Sequence, residues 1–254
     1  MQAIWFPSFG AIPGILPELR RWVFYSFPHE PLENGEFRVL SSGTWGARGN
    51  YGNRNWQALY DYYRQYENRG NAEWRMMPDE YLDPRKTMQN FLKWMELYPD
   101  MSVVPIIQFT RKKYCDLYAI KKQIDFYRQY KPVKICISNP GFWCVEWVDN
   151  LIYVSSQIKD KLTSPWIHVL GAGWNIFDIK QYTKISSIDS VDNIIYYTEA
   201  KNGMAWCTSK DRSDIYTNIV CNCPACVSGV KGWKKIAMHN AYVAQEVVKY
   251  ACTG

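Results

Sequence analysis

A chain of 254 residues with 47% hydrophobic content can bury one full core, and a single α/β barrel commonly has about this length. No apolar stretch approaches the roughly 20 residues of a membrane span, and Met1-Gln-Ala-Ile-Trp-Phe-Pro7 lacks the basic segment and apolar run of a secretory signal. The formal charge of +6 suits a polyanionic partner without requiring one.

The chain alternates strand-like and helix-like segments, with no repeat or long linker. Trp22–Phe27 and Phe37–Leu40 read as strands. Residues 55–68 carry Trp56, Leu59, Tyr60, Tyr63 and Tyr66 at helical spacing. Trp74–Met77 is a short strand. Asp83-Pro84 opens a helix with Met88, Phe91, Leu92 and Met95 on one face. Val103–Gln108 is a buried strand, Leu117–Tyr130 a helix, and Val133–Ile137 the next strand. Trp143–Leu162 is largely helical. Trp166–Leu170 is a strand ending in Gly171-Ala172-Gly173, and Asn175–Tyr182 a short helix. Val191–Tyr197 reads as a strand or strand entry, and a helix closes the chain. Strand after strand followed by helix argues for a parallel sheet with right-handed crossovers. At this length a single (β/α)8 barrel over 1–254 is the first expectation, with a C-terminal metal-binding subregion at about 207–254. An open doubly wound sheet is the second.

Near the end stand Cys221-Asn222-Cys223-Pro224-Ala225-Cys226 and, shortly after, His239. Three thiols and an imidazole fit one tetrahedral Zn²⁺ in a closed, structural site. The alternative is three buried or disulfide-bonded cysteines beside an unrelated histidine. The other cysteines (Cys115, Cys136, Cys144, Cys207 and Cys252) show no framework spacing, and a reducing cytoplasm is expected.

In a barrel, chemistry collects at the C-terminal ends of the strands. Those ends carry Ser41, Ser42 and Gly43, then Asp79, Gln108, Ser138, Asn139, Gly171 and Asp192. Two carboxylates, an amide and exposed backbone groups can hydrogen-bond a planar heterocycle and supply a nucleophile. Singly, Asp79 could cap the following helix and Gln108 could be an ordinary loop residue. The 12 Trp and 19 Tyr fit either ordinary packing or base stacking beside Lys and Arg.

The Cys-x-Cys-x-x-Cys run with a helix-borne histidine resembles the zinc signature of the tRNA-guanine transglycosylases and their DNA-acting phage and bacterial relatives. Ser187–Asp192, continuing to Asn202-Gly203, resembles that family's nucleophile segment. Met76–Glu80 resembles the segment whose Asp recognises guanine, and Val104–Gln108 the strand whose Gln contacts the base. Val169–Gly173 resembles the family's Leu-Met-Gly-Val-Gly strand end. The likeness spans about residues 38 to 254. The family's Asp-Ser-Gly-Gly-Tyr/Phe appears here as Ser41-Ser42-Gly43-Thr44-Trp45, without its Asp. The resemblance implies a (β/α)8 barrel, structural zinc, Asp192 as nucleophile, and Asp79, Gln108, Ser41, Ser138, Asn139 and Gly171 around the base. It implies replacement of guanine by a 7-deazaguanine such as preQ0 or preQ1. The altered first motif and compact length favour DNA over tRNA as polymer, in a phage-type enzyme of the host cytoplasm, with no membrane partner. Arg48, Arg54, Arg111, Lys112 and Lys113 are candidate backbone contacts. Two other classes compete. A zinc deaminase would need His-x-Glu, which neither His29 nor His168 begins. An inactive, zinc-stabilised nucleic-acid-binding paralogue is the other.

Overall fold

The computed structural model describes residues 3–7, 22–26, 37–41, 55–67, 72–110, 115–139, 146–171, 176–192, 195–210 and 212–253. Eight strands form one parallel sheet: β1 (Ala3–Pro7), β2 (Trp22–Ser26), β3 (Phe37–Ser41), β4 (Ala72–Arg75), β5 (Ile106–Ile107), β6 (Lys134–Ser138), β7 (Trp166–Leu170) and β8 (Ser190–Asp192). Their spatial order is β4-β3-β2-β1-β8-β7-β6-β5. The helices between them are α1 (Trp56–Glu67), α2 (Pro84–Leu97), α3 (Leu117–Arg128), α4 (Trp147–Lys161) and α5 (Ile176–Thr183). After β8 come α6 (Ile195–Lys201), an antiparallel pair β9 (Met204–Ala205) and β10 (Asp214–Ile215), a 3-10 turn at Tyr216–Asn218, and helices α7 (Pro224–Val227) and α8 (Trp233–Thr253).

β6 and β7 are buried on both faces, which is why they read as largely apolar runs and not as alternating ones. Ile135, Cys136 and Ile137 of β6 and Ile167, His168 and Val169 of β7 are all inaccessible to solvent. The two ends of the strand order also touch. Met76, after β4, bridges in parallel to Val104, before β5. Val104 N donates to Arg75 O (2.7 Å) and Met77 N to Val104 O (3.1 Å). The rings of Trp74 in β4 and His168 in β7 lie 6.2 Å apart. Five strand spacings separate these strands along the sheet order, or about 24 Å if it were flat. The sheet therefore curls around its own core.

The helices follow their apolar stripes, with one rotation from expectation. α2 buries Thr87, Asn90, Phe91 and Trp94, whereas Leu92, expected on the inner face, is largely exposed. Trp94 sets that face because its indole N–H finds the Met101 carbonyl at 3.0 Å. The Asp83 side chain accepts from Lys86 N (2.9 Å), and Pro84 fills the first turn, so α2 starts where the sequence indicates.

Three expectations change. The strand read over Val191–Tyr197 stops at Asp192, and Ile195 begins α6. An apolar run of this length does not distinguish strand from buried helix, and packing against α8 decides for helix. The strand expected over Val103–Gln108 is regular only at Ile106–Ile107, since Pro105 has no N–H for the ladder. β1 was not anticipated. It pairs with β2 on one side and β8 on the other.

α8 packs against α6 and β1. Buried Asn240 fastens it in place. Its Oδ1 accepts from Trp206 N (2.8 Å), and its Nδ2 donates to the carbonyls of Tyr196 and Met204 (3.1 Å each). Among the described residues, no helix is long and apolar enough to cross a membrane.

Candidate functional site

Most of the expected strand-end residues meet at one end of the sheet. Register sets this directly: Ile107 lies level with Ile137, Ser138 with Leu170, and Val169 with Val191. Gln108, Ser138, Gly171 and Asp192 therefore leave their strands at nearly the same height. Ser138 Oγ accepts from Phe109 N (2.9 Å). Asn139 Nδ2 donates to Gly171 O (2.7 Å), and its Oδ1 accepts from Tyr182 (3.1 Å). Ser41 ends β3 level with Ser26. Ser42 and Gly43, like Arg48, Arg54, Arg111, Lys112 and Lys113, fall outside the described residues.

Asp192 is buried, at 6% exposure. Its Oδ1 takes two hydrogen bonds, from Gly171 N (2.8 Å) and His168 Nε2 (3.0 Å). Gly171 has φ of +62°, a left-handed conformation that glycine adopts at least cost. Among the described residues, Oδ2 takes no hydrogen bond. One carboxylate oxygen is thus anchored by two donors, and the other is not.

Sequence reasoning did not include His168 in this site. The ring is fully buried, and its Nδ1 lies 2.9 Å from Ser190 Oγ. That hydroxyl also accepts from Trp166 Nε1 at 2.8 Å. The consistent proton assignment runs from indole N–H to Ser190, from the Ser190 hydroxyl to Nδ1, and from Nε2–H to Asp192. Burial holds His168 below its ordinary pKa against the opposing pull of Asp192, so the neutral tautomer is the working form. Only the β7–β8 register, which sets His168 opposite Ser190, exposes this arrangement. The one sequence signal is a histidine inside an apolar parallel strand.

Across the same end, buried Asp79 and Gln108 are joined by a short hydrogen bond from Gln108 Nε2 to Asp79 Oδ2. Gln123, also missed from sequence, clamps the Gln108 backbone. Its Oε1 accepts from Gln108 N (2.8 Å) and its Nε2 donates to Gln108 O (2.9 Å). Gln108 Oε1 is buried without a partner among the described residues, and such an acceptor is costly unless a donor arrives. Asp79 does not cap α2; Asp83 does. Burial pushes the Cys136 thiol far up, and the charges of both Asp192 and Asp79 push it further. Cys136 stands in register between Ile106 and His168.

The C-terminal cluster is a second group. The ligand atoms of Cys221, Cys223, Cys226 and His239 lie within 4.8 Å of one another, an arrangement that could hold a metal ion. His239 Nδ1 faces the sulfurs of Cys223 (3.4 Å) and Cys226 (3.5 Å). Its other nitrogen, Nε2, lies 2.8 Å from the Trp206 carbonyl. With Nε2 as donor, the Nδ1 lone pair points at the thiols, the usual outer support of a metal-bound histidine. Burial pushes the Cys223 thiol up to about 12. Cys221, Cys223 and Cys226 form no disulfide.

A scan of known protein-family models returned no match to this chain, and a search of curated proteins found none either.

Proposed function

We propose that this protein is a base-exchange transglycosylase that replaces guanine in DNA with a 7-deazaguanine, using Asp192 as a covalent nucleophile. The observation that carries the reading is the asymmetry of Asp192: Oδ1 is fixed by two donors, while Oδ2 is free of hydrogen bonds among the described residues. It shares one sheet end with a buried acceptor that lacks a donor among the described residues, Gln108 Oε1. A guanine edge offers N–H groups suited to both Gln108 and Asp79.

The chemistry follows retaining glycoside logic. Oδ2 of Asp192 forms a bond to C1′ as the C1′–N9 bond breaks. The bonding pair leaves with guanine, which takes up a proton from solvent. N9 of the incoming 7-deazaguanine then attacks C1′ and loses its proton, and the carboxylate departs unchanged. His168 and Gly171 steady Oδ1 throughout. The target base must leave the stack to reach a site this enclosed.

The same reading takes the curled sheet as a closed (β/α)8 barrel. The Met76–Val104 bridge joining the two ends of the strand order, and the Trp74–His168 contact across it, support closure. It takes the ion of the C-terminal group as Zn²⁺. Bond lengths of about 2.3 Å to sulfur and 2.0–2.1 Å to nitrogen imply ligand-to-ligand edges of roughly 3.5–3.8 Å, close to the 3.4 and 3.5 Å between His239 Nδ1 and its sulfur neighbours. Four protein ligands leave no open position, so the ion holds structure and enters no chemical step.

The test is exchange of labelled guanine into DNA, with mass spectrometry of the denatured protein for a nucleotide adduct on Asp192. Asp192→Asn keeps the shape and removes the anion. Exchange should fall by at least about a thousandfold, the adduct should disappear and DNA binding should persist. An Asp192→Asn protein with full exchange activity would overturn the assignment.

A further inference from the structure

Beyond the strand-end site, the beginning of α8 and the neighbouring α6 carry a cluster of lysines set among aromatic rings. Lys201 Nζ lies 4.5 Å from the centroid of Tyr197 and 5.6 Å from that of Trp233. Lys234 also lies over Trp233, and Lys235 over Tyr216, each at 5.9 Å. Tyr197 and Trp233 meet edge to face at 5.2 Å. Lys231 is exposed just before the helix.

Two features bear on this group. First, Lys86, Lys159 and Lys210 are paired with Glu80, Asp189 and Asp214, and Lys93 and Lys122 each lie singly over a ring, whereas Lys201 and Lys234 share one ring, Trp233. Among the described residues, none of Lys201, Lys231, Lys234 and Lys235 has a carboxylate partner. The rings hold the ammonium groups without neutralising them. Second, the first turn of a helix favours acidic side chains, because backbone N–H groups already make that end positive. The first turn of α8 has no acidic residue and carries Lys234 and Lys235, as that of α2 carries Arg85 and Lys86. The free protein concentrates like charge there, and a bound anion relieves it.

Part of the cluster follows the site closely in the chain. Tyr197 follows Asp192 by five residues, so the chain can separate them by no more than roughly 17 Å. A repeating anion with flat bases between its charges would satisfy both the lysines and the rings.

We propose that Lys201, Lys231, Lys234 and Lys235, with Trp233, form a platform that binds the phosphodiester backbone of single-stranded DNA beside the base being exchanged. The identity of the strand as substrate rests on the transglycosylase reading; the platform is tested by binding alone.

The experiment is fluorescence anisotropy of a labelled single-stranded oligonucleotide with the full chain, titrated across sodium chloride concentrations. The triple variant Lys231→Gln/Lys234→Gln/Lys235→Gln should flatten the plot of log affinity against log salt by about 2, since each neutralised phosphate contributes about 0.7 on a single strand. Affinity near 0.1 M salt should fall about a hundredfold. Trp233→Leu should weaken binding about tenfold with the slope unchanged, because it removes stacking and no charge. Thermal melts of both variants establish that they fold. A folded triple variant with wild-type slope and affinity overturns the platform. So does a variant that loses only its binding to phosphatidylserine–phosphatidylcholine vesicles while DNA binding stays intact. Salt-dependent binding that needs these lysines, in a protein without exchange activity, supports the platform and removes the transglycosylase reading; exchange with an unaltered salt slope does the reverse.

Discussion

The imidazole of His168 has neighbours on both nitrogens, Ser190 and Asp192, and one neutral tautomer satisfies both. Its burial also makes stability depend on pH. Burial lowers the folded-state pKa below the ordinary value near 6.5. Between the two values the unfolded chain binds the extra proton, so this contribution is complete above about pH 6.5 and is lost as pH falls through the folded value. Denaturant melts of the wild type between pH 7.5 and 5 should show that loss. His168→Phe should be less stable by about 1–3 kcal/mol at neutral pH, since Asp192 and Ser190 lose a buried partner, and its acid-side loss should be shallower. Equal acid slopes would remove His168 from this role. Asp79, Gln108, Ser138, Asn139 and Gly171 were readable because each follows an apolar run, where a parallel strand must end; Asp192, after Ile188-Asp189-Ser190-Val191, was singled out by the resemblance of its segment to a known family. His168 was not, because its meaning depends on which residue of β8 stands beside it. The clamp by Gln123 is equally invisible, as it comes from the inner face of a helix fifteen positions along the chain.

At the scale of the element, two short segments carry measurable weight. Asp83 accepts from Lys86 N at the start of α2, and Asp83→Ala should cost about 1 kcal/mol in denaturant unfolding, with no change at the strand-end site. The Cys221–Cys226 segment and His239 should carry one zinc per chain by elemental analysis. Chelation, or Cys223→Ala, should lower the melting temperature by about 10 °C or more, because structural zinc contributes several kcal/mol and each is worth about 2–4 °C in a chain of this size. Metal retention should weaken as pH drops, since protons compete for the thiolates. A folded, metal-free protein with an unchanged melting temperature would refute the structural role. The cap and the cysteine spacing were legible because each is a local pattern. The end of β8 was not: Ile194 to Tyr197 is a short apolar run that suits strand or helix, and packing against α8 favours the helix. α8 itself starts at Trp233, several residues before its clearest apolar periodicity.

For the molecule as a whole, strand–helix alternation was enough to indicate a parallel sheet with helices packed around it. β1 escaped notice because Ala-Ile-Trp-Phe-Pro is short and ends in proline, and its place becomes apparent only when β8 lies beside it. The choice of polymer also belongs to this scale. With tRNA and DNA supplied equally, labelled 7-deazaguanine should enter DNA; incorporation mainly into tRNA would reverse the polymer assignment and leave the chemistry standing. The pairing of β1 with β8 has a further consequence, for birth on the ribosome. The chain is made from its amino end, so β1 leaves the exit tunnel early and β2 can join it soon after. Its other neighbour, Ser190–Asp192, is made long after β2, and α8, which packs on β1, later still. Throughout that interval one row of N–H and C=O groups on β1 stays open to strangers. A denatured chain diluted into buffer has all its strands at once and meets no such wait.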